Sequence, residues 1–223
     1  MVDFHPRVDD LPGEFPVFPL PGALLLPRGK LPLNIFEPRY LAMTQDALGQ
    51  ARMFGMIQPD PTLPDTGTGP GLFRVGCLGR LSSFSETDDG RFLITLTGVI
   101  RFAVENEVAM QRGYRRVRGD FTRYLADLDL QRESPPLGAG RDKILTALRV
   151  YFTHRGLDAN WDAMRRLPDD MLVTTLAMVC PFEPAEKQAL LEAETGAERA
   201  STLLTLLQMG AMSQDTPGGR SVS

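Results

Sequence analysis

Gly22 and Gly29-Lys30 set two glycines ahead of a lysine, the residue types with which a phosphate-binding loop cradles a nucleotide. The glycines stand two residues too far apart for that loop, and Leu31 occupies the place where Ser or Thr would hold a metal ion. His5 and His154 are the only histidines, and neither has a second His or a Cys at ligand spacing, so no metal is expected. His154 follows Tyr151 and Phe152 near a helix end, where a cationic or carbonyl-bonding role is the plainer one. An activated serine or cysteine needs a base beside it. There is no Gly-x-Ser-x-Gly elbow, and Lys30, Lys143 and Lys187, the only lysines, have no Gly-flanked serine nearby. Asp88-Asp89 and Asp169-Asp170 pair carboxylates, but at a turn and at a helix start, where carboxylates serve structure. No catalytic residue and no cofactor are expected. The remaining candidates are Arg112, Arg115, Arg116 and Arg118 with Tyr114, since arginine and aromatic side chains together grip phosphate and stack on bases. Alternation along a strand sends Arg115 to the face opposite Arg116 and Arg118 and splits that cluster. Arginine is also the common cation of the whole chain, so a solvated strand face is the plainer reading.

Composition places the chain among ordinary folded proteins. The 223 residues are 43% hydrophobic and 23% charged, close to ordinary globular usage and long enough for one large domain or two small ones. A net charge of -4 argues against broad phosphate-backbone binding, which runs on excess Lys and Arg. No apolar run approaches the ~20 residues that cross a bilayer. The acidic N-terminus, with Asp3, Asp9 and Asp10, is unlike a signal peptide. Cys77 and Cys180 form no close pair and read as small buried hydrophobes in a reducing cytoplasm.

The elements that must position any site fall into two kinds. Phe15, Val17 and Leu20 among prolines predict a short edge strand, because Pro cannot donate to a ladder. Leu31, Leu33 and Ile35 predict a second strand. Pro38 opens a helix that Gly49 is placed to end, and Met53 to Gln58 reads as a buried strand. A loop with four prolines runs from Pro59 to Gly71. Arg74 to Glu86 and Arg91 to Val104 flank Thr87-Asp88-Asp89-Gly90, a hairpin signal, and Phe92, Ile94, Leu96, Ile100, Phe102 and Val104 keep a period of two. Gly76, Gly79 and Gly98 are candidates for bulges or bends. Arg115 to Phe121 predicts the last strand. After Leu130 the period becomes helical: one stripe at Ile144, Leu145, Leu148, Tyr151 and Phe152, a second from Met171 to Val179, a short third at Leu190-Leu191 and a fourth at Leu203 to Leu207, with Gly210 past its end.

The run Phe18-Pro19-Leu20-Pro21-Gly22-Ala23-Leu24-Leu25-Leu26-Pro27, leading into Leu31-Pro32-Leu33-Asn34-Ile35-Phe36-Glu37-Pro38-Arg39-Tyr40, closely resembles the start of the Lon protease N-terminal, substrate-binding domain. Phe54-Gly55-Met56-Ile57, the hairpin from Gly76 to Phe102 and Glu186-Lys187-Gln188-Ala189-Leu190-Leu191-Glu192 continue the resemblance in order, over Phe15 to Met209. It implies an α+β fold in which a PUA-like antiparallel β pseudo-barrel precedes a C-terminal α-helical bundle. The expected division is an N-terminal extension at 1–13, the β lobe at 14–130, a linker at 131–140, the helical lobe at 141–212 and a flexible tail at 213–223. Neither the P-loop nor the protease signature of full-length Lon is present, so a stand-alone, non-enzymatic member is expected.

What carries over from such a family is capture of unfolded or damaged polypeptides, and a handover to an ATP-dependent protease. That work needs accessible apolar surface, because apolar burial is nondirectional and tolerates many sequences. Leu24, Leu25 and Leu26 either pack inside as a strand or contribute to that surface. Phe36, Arg39 and Tyr40, at a strand-to-helix junction, are candidate peptide anchors. The competing role is structural, with Glu37 pairing Arg39 while Phe36 and Tyr40 fix the helix to the sheet. An RNA-binding alternative rests on the PUA-like fold and on Arg112, Tyr114, Arg116 and Arg118. Nucleic acid and membrane are otherwise not expected partners.

Overall fold

The computed structural model of the chain describes residues 6–129, 136–137 and 139–212. Six strands form one sheet: β1 (Glu14–Pro19), β2 (Lys30–Ile35), β3 (Met53–Ile57), β4 (Val75–Glu86), β5 (Phe92–Gln111) and β6 (Tyr114–Asp120). The helices are α1 (Pro38–Leu48), α2 (Ala139–Arg155), α3 (Trp161–Arg166), α4 (Asp169–Val179), α5 (Pro184–Glu192) and α6 (Gly196–Met212). The strand order is β2-β5-β4-β3-β1-β6, and β6 also pairs β5, so five strands close into a ring and β2 is left at the end of the order. The long β5 makes this closure. Its first part pairs β2 and its last part pairs β6, while β4 lies along its other side from Phe92 to Ala103.

The α+β pseudo-barrel is therefore present, with one parallel pairing, β1 with β3, in an otherwise antiparallel sheet. β1 is not the edge strand that its prolines predict, because it pairs β6 as well as β3. The Leu20 amide donates to the Ile57 carbonyl, so even-numbered backbone groups of β1 face β3 and odd-numbered ones face β6. Pro16 lies one residue before the β3 register begins, and Pro19 lies two residues beyond the end of the β6 register. Each missing N–H thus falls where no ladder needs it.

Two phenylalanines fill the ring. Phe15 and Phe102 meet edge to face with centroids 4.9 Å apart. A Cβ at Gly55 would come within 2.8 Å of the Phe102 ring, and one at Gly119 within 2.7 Å of Phe15, while Gly76 backs onto the same Phe102 ring. Glycine on three strands makes room for large aromatics that dominate the buried area. Gly79 and Gly98 sit together where the β4–β5 register slips, and they do more than bend the sheet. Leu25 packs over Gly79, and the Leu26 carbonyl occupies the space where a Gly98 side chain would stand. Leu24, Leu25 and Leu26 are consequently core residues, held there as an irregular segment rather than a strand.

By its internal contacts the chain divides into two compact units, one of residues 1–132 with 178–192 and one of residues 133–177 with 193–223. The helical lobe expected at 141–212 is thereby split, because α5 belongs with the sheet. The Gln188 side chain donates to the Val75 carbonyl at 3.1 Å, and Gln58 donates to the Pro184 carbonyl at 3.0 Å. Lys187 donates to the carbonyls of Gly22 at 2.8 Å and Met178 at 3.1 Å, and burial pushes its pKa down. Arg101, almost fully buried, is bidentate to Asp127, donates to the Leu191 carbonyl at 3.1 Å and lies 4.7 Å over the Tyr124 ring. These polar ties explain why a helix late in the chain is part of the β unit.

In the second unit, Arg141 gathers the ends of α3 and α4. It donates to Asp169 at 2.5 Å and to the carbonyls of Arg165 and Leu167 at 2.9 and 3.0 Å. Asp169 also accepts from the Leu137 amide, and that bond, with Arg141, holds its carboxyl below the usual range. The short α3 has no apolar stripe to predict it; Asn160 caps it by accepting from the Ala163 amide. Gly210 lies inside α6 instead of ending it, because the Tyr151 ring packs where its side chain would be. Of the expected linker at 131–140, residues 131–135 and 138 lie outside the described residues, and Ala139 and Gly140 already belong to α2. The expected tail at 213–223 also lies outside the described residues.

Candidate functional site: a proline- and tyrosine-walled cleft

A cleft of about 150 Å³ opens in the sheet unit between Pro19 and Pro21, the start of α1, the 59–71 loop and the β5–β6 turn. Pro38 at the first helical position starts α1, with Glu37 as the cap whose carbonyl accepts from the Tyr40 and Leu41 amides. Arg39 and Tyr40 are thereby placed on the cleft wall. Arg39 donates twice to one Glu37 oxygen, at 3.0 and 2.8 Å, and its guanidinium lies 4.5 Å from the centre of the Tyr40 ring. The Tyr40 ring packs tilted against Phe18, with centroids 4.1 Å apart. Burial raises its hydroxyl pKa against the lowering effect of Arg39.

The opposite wall is built by the β5–β6 turn. Arg112 and Gly113 both have positive φ, 46° and 85°, as a two-residue hairpin turn requires. Asp46 of α1 holds this turn in place. It accepts from the Tyr114 hydroxyl at 2.8 Å, from Arg112 at 2.7 Å and from Gln111 at 3.2 Å. Burial pushes the Asp46 carboxyl up, but these bonds outweigh it and hold the group below its ordinary pKa. Burial together with the Asp46 bond pushes Tyr114 up to about 12.

Arg115 ties the third wall. It is bidentate to Glu107, at 2.9 and 2.5 Å, and its remaining nitrogen donates to the Pro70 carbonyl at 2.7 Å. Pro70 and Thr68 are thus set against the cleft, with the loop closed on itself by Thr66 and Gly69, which exchange backbone bonds of 2.7 and 3.1 Å. The two cations at the cleft are each matched by a carboxylate, Glu37 for Arg39 and Glu107 for Arg115. What the cleft offers a ligand is therefore proline surface, the Thr68 hydroxyl and paired arginine edges rather than an unpaired charge, with Tyr40 and Tyr114 almost fully buried behind them.

The residues expected to bind divide sharply. Arg39 and Tyr40 line the cleft, and Phe36 beside them is 64% exposed. Leu24, Leu25 and Leu26 are in the core and away from solvent. The RNA alternative receives no support. Arg112 is engaged by Asp46, Arg116 and Arg118 both lie against Glu14, and the Tyr114 ring is buried and not open to stack on a base. Thr68 and the prolines at 19, 21, 59 and 70, which line the cleft, and Asp46, which holds its turn, are residues the sequence reading missed. The Gln111-Arg112-Gly113-Tyr114 turn between two strand patterns is the signal that could have found part of them. A wider groove of about 610 Å³ lies on α2 and α6 and contains none of the expected residues. Among the described residues no cluster of His, Cys, Asp or Glu suits a metal ion, and no helix is long and apolar enough to cross a membrane.

Comparison with known proteins agrees with this fold. Residues 14–209 match the family described as the ATP-dependent protease La (LON) substrate-binding domain, and the chain belongs to that family. It is 29% identical over 126 residues to Lon protease 2 of Sorangium cellulosum, covering 56% of this chain and 15% of that protein. It is 26% identical over 99 residues to the Lon protease of Desulfosudis oleivorans, covering 44% of this chain and 12% of that one. The chain thus spans a small part of the length of these relatives. Two solved structures share its fold, each with a TM-score of 0.60. One is a Lon N-terminal domain protein from Xanthomonas campestris, 22% identical, covering 86% of this chain and 97% of that one. The other is the N-terminal domain of the Mycobacterium avium complex Lon protease, 15% identical, covering 87% of this chain and 97% of that one.

Proposed function

We propose that this chain is a non-catalytic polypeptide-binding module that captures extended apolar segments of unfolded or damaged proteins and passes them to an ATP-dependent protease. The observation that carries the reading is membership of the LON substrate-binding domain family over 14–209. The charge-matched cleft supports it, because a site for many different unfolded sequences gains from apolar contact and loses from an unpaired ion that demands one partner. Phe36 and Arg39 are the accessible anchors, Pro70 and Thr68 form the opposing wall, and the almost fully buried Tyr40 and Tyr114 back them. Leu24, Leu25 and Leu26 support the sheet beneath. Cys77 and Cys180 are buried thiols, which suits the reducing cytoplasm in which such capture would occur.

The test is titration of a fluorescently labelled, reduced and carboxymethylated protein against the folded chain, with the native form of that protein as control. Binding of the unfolded form alone is expected. Thr68→Trp, which fills the cleft from an exposed loop, and Phe36→Ser should each weaken it about five- to tenfold. A well-folded wild type that ignores every unfolded protein offered ends the reading.

A further inference from the structure

Beyond the cleft, we propose that β2 is a second recognition element, which binds a client polypeptide by accepting it as an added strand. This rests on the polypeptide-binding reading above and names the backbone of an extended chain as what is recognised.

The backbone directions of β2 follow from its pairing. The Gly98 amide donates to the Gly29 carbonyl and the Gly98 carbonyl accepts from the Arg28 amide, a bulge at 28–29 that still turns the Gly29 carbonyl toward β5. Along the antiparallel register, Leu31 with Leu96, Leu33 with Ile94 and Ile35 with Phe92 are then the pairs that exchange hydrogen bonds. Lys30, Pro32 and Asn34 fall at the alternate positions, so their backbone groups point away from β5. Two neighbouring features agree with this assignment. Pro32 has no N–H to give β5, and the Thr95 carbonyl opposite it is turned to β4, where it accepts from Ser82. Among the described residues, β5 is the only strand that pairs β2.

The free edge therefore presents the N–H groups of Lys30 and Asn34 and the carbonyls of Lys30, Pro32 and Asn34. All three residues are exposed. Their side chains share the solvent face, while Leu31 and Leu33 on the other face are only half-buried. A strand laid against this edge would satisfy the backbone groups and cover Leu31 and Leu33 with its own apolar side chains. Its sequence needs apolar residues at alternate positions and no proline, and it is otherwise unrestricted, which is strand addition as a recognition mode.

A second copy of this chain fits the edge less well than a client. Two β2 strands meeting at Pro32 would lack both central N–H donors, whereas an ordinary peptide lacks only the one that Pro32 withholds.

The experiment titrates a labelled peptide alternating valine and threonine over about seven residues, the length that spans β2. Asn34→Pro deletes an outward N–H, and Asn34→Ala deletes the side chain while keeping it. The peptide is expected to bind wild type and Asn34→Ala within about twofold of each other and to lose about fivefold or more on Asn34→Pro. Equal binding to all three, or equal loss in both variants, overturns the proposal. Should Asn34→Pro not fold, the same peptide N-methylated at alternate amides is offered to wild type; one of the two methylation registers must lose affinity, and undiminished binding of both overturns it. A wild-type dimer that Asn34→Pro dissolves, with no peptide bound, assigns the edge to a second copy and also overturns it. Unfolded protein that still depends on Thr68→Trp and Phe36→Ser but not on the edge leaves the cleft reading standing and removes only this one. Wild type that binds neither probe removes both.

Discussion

Arg115→Met removes the tether of the cleft while keeping most of the side chain's volume. Three hydrogen bonds disappear, two to Glu107 and one to the Pro70 carbonyl. Truncating one member of a fully buried pair costs about 3–5 kcal/mol, because the other charge is stranded. Here the Arg115 side chain is 5% exposed but that of Glu107 is 36%, so the carboxylate left behind regains water. Pro70 is exposed, and its carbonyl does the same. The expected loss is therefore smaller, about 2–3 kcal/mol, or a fall of about 4–12 °C in the melting transition. The local effect is more diagnostic than the global one. With Pro70 released, the Thr66 and Gly69 amides, which bond to each other's carbonyls, should exchange with deuterium about tenfold faster, while strand amides of β3 change only with global stability. Arg115→Lys should behave almost like Arg115→Met, since an ammonium cannot present a fork to Glu107 and reach Pro70 as well. Unchanged exchange at Thr66 and Gly69 in a folded Arg115→Met protein would refute the claim that this residue sets the loop against the cleft.

Three further outcomes are expected. Asp46 has a lowered folded pKa, so its stabilising effect is present above the ordinary carboxylate value of about 4 and fades as the pH falls through the lower folded value. Urea midpoints of wild type and Asp46→Asn should thus differ at pH 7 and converge in acid; a gap that stays constant with pH contradicts this. Asp127→Ala strands the buried Arg101 guanidinium and should cost about 3–5 kcal/mol in chemical denaturation, while Arg101→Met with Asp127→Leu should recover much of it. An additive double variant would show the pair is not coupled. Gly76→Ala drives a methyl into the Phe102 ring and to within 2.7 Å of the Met56 carbonyl, a backbone atom that cannot step aside, and should cost about 1–3 kcal/mol or prevent folding. Gly13→Ala, with open space around it, should leave the melting temperature nearly unchanged.

Local order alone decided much of this protein. The hairpin around Thr87-Asp88-Asp89-Gly90, the Pro38 helix start, the buried Met53 strand and the helical stripes after Leu130 follow from periods of two and 3.6 and from turn chemistry, which neighbours in sequence determine. Arg39 and Tyr40, expected at a strand-to-helix junction, do lie together on the cleft wall, because Pro38 starts the helix directly before them. What the tertiary structure decided depends on partners far away in the chain. Prolines in β1 do not place it at an edge, because their missing donors fall beyond the ends of two ladders that only the folded register defines. Leu24, Leu25 and Leu26 become core because glycines at 79 and 98 open a seat for them, and Gly210 packs under Tyr151 instead of ending a helix. α5 joins the sheet unit through Arg101, Gln58, Gln188 and Lys187, hydrogen bonds between residues as much as 165 positions apart. The cleft itself is assembled from four separate stretches, and the arginines that could have gripped RNA are paired with acids that only folding brings near. Short-range preferences specify what each segment is; long-range closure of the ring specifies which faces remain open to a partner.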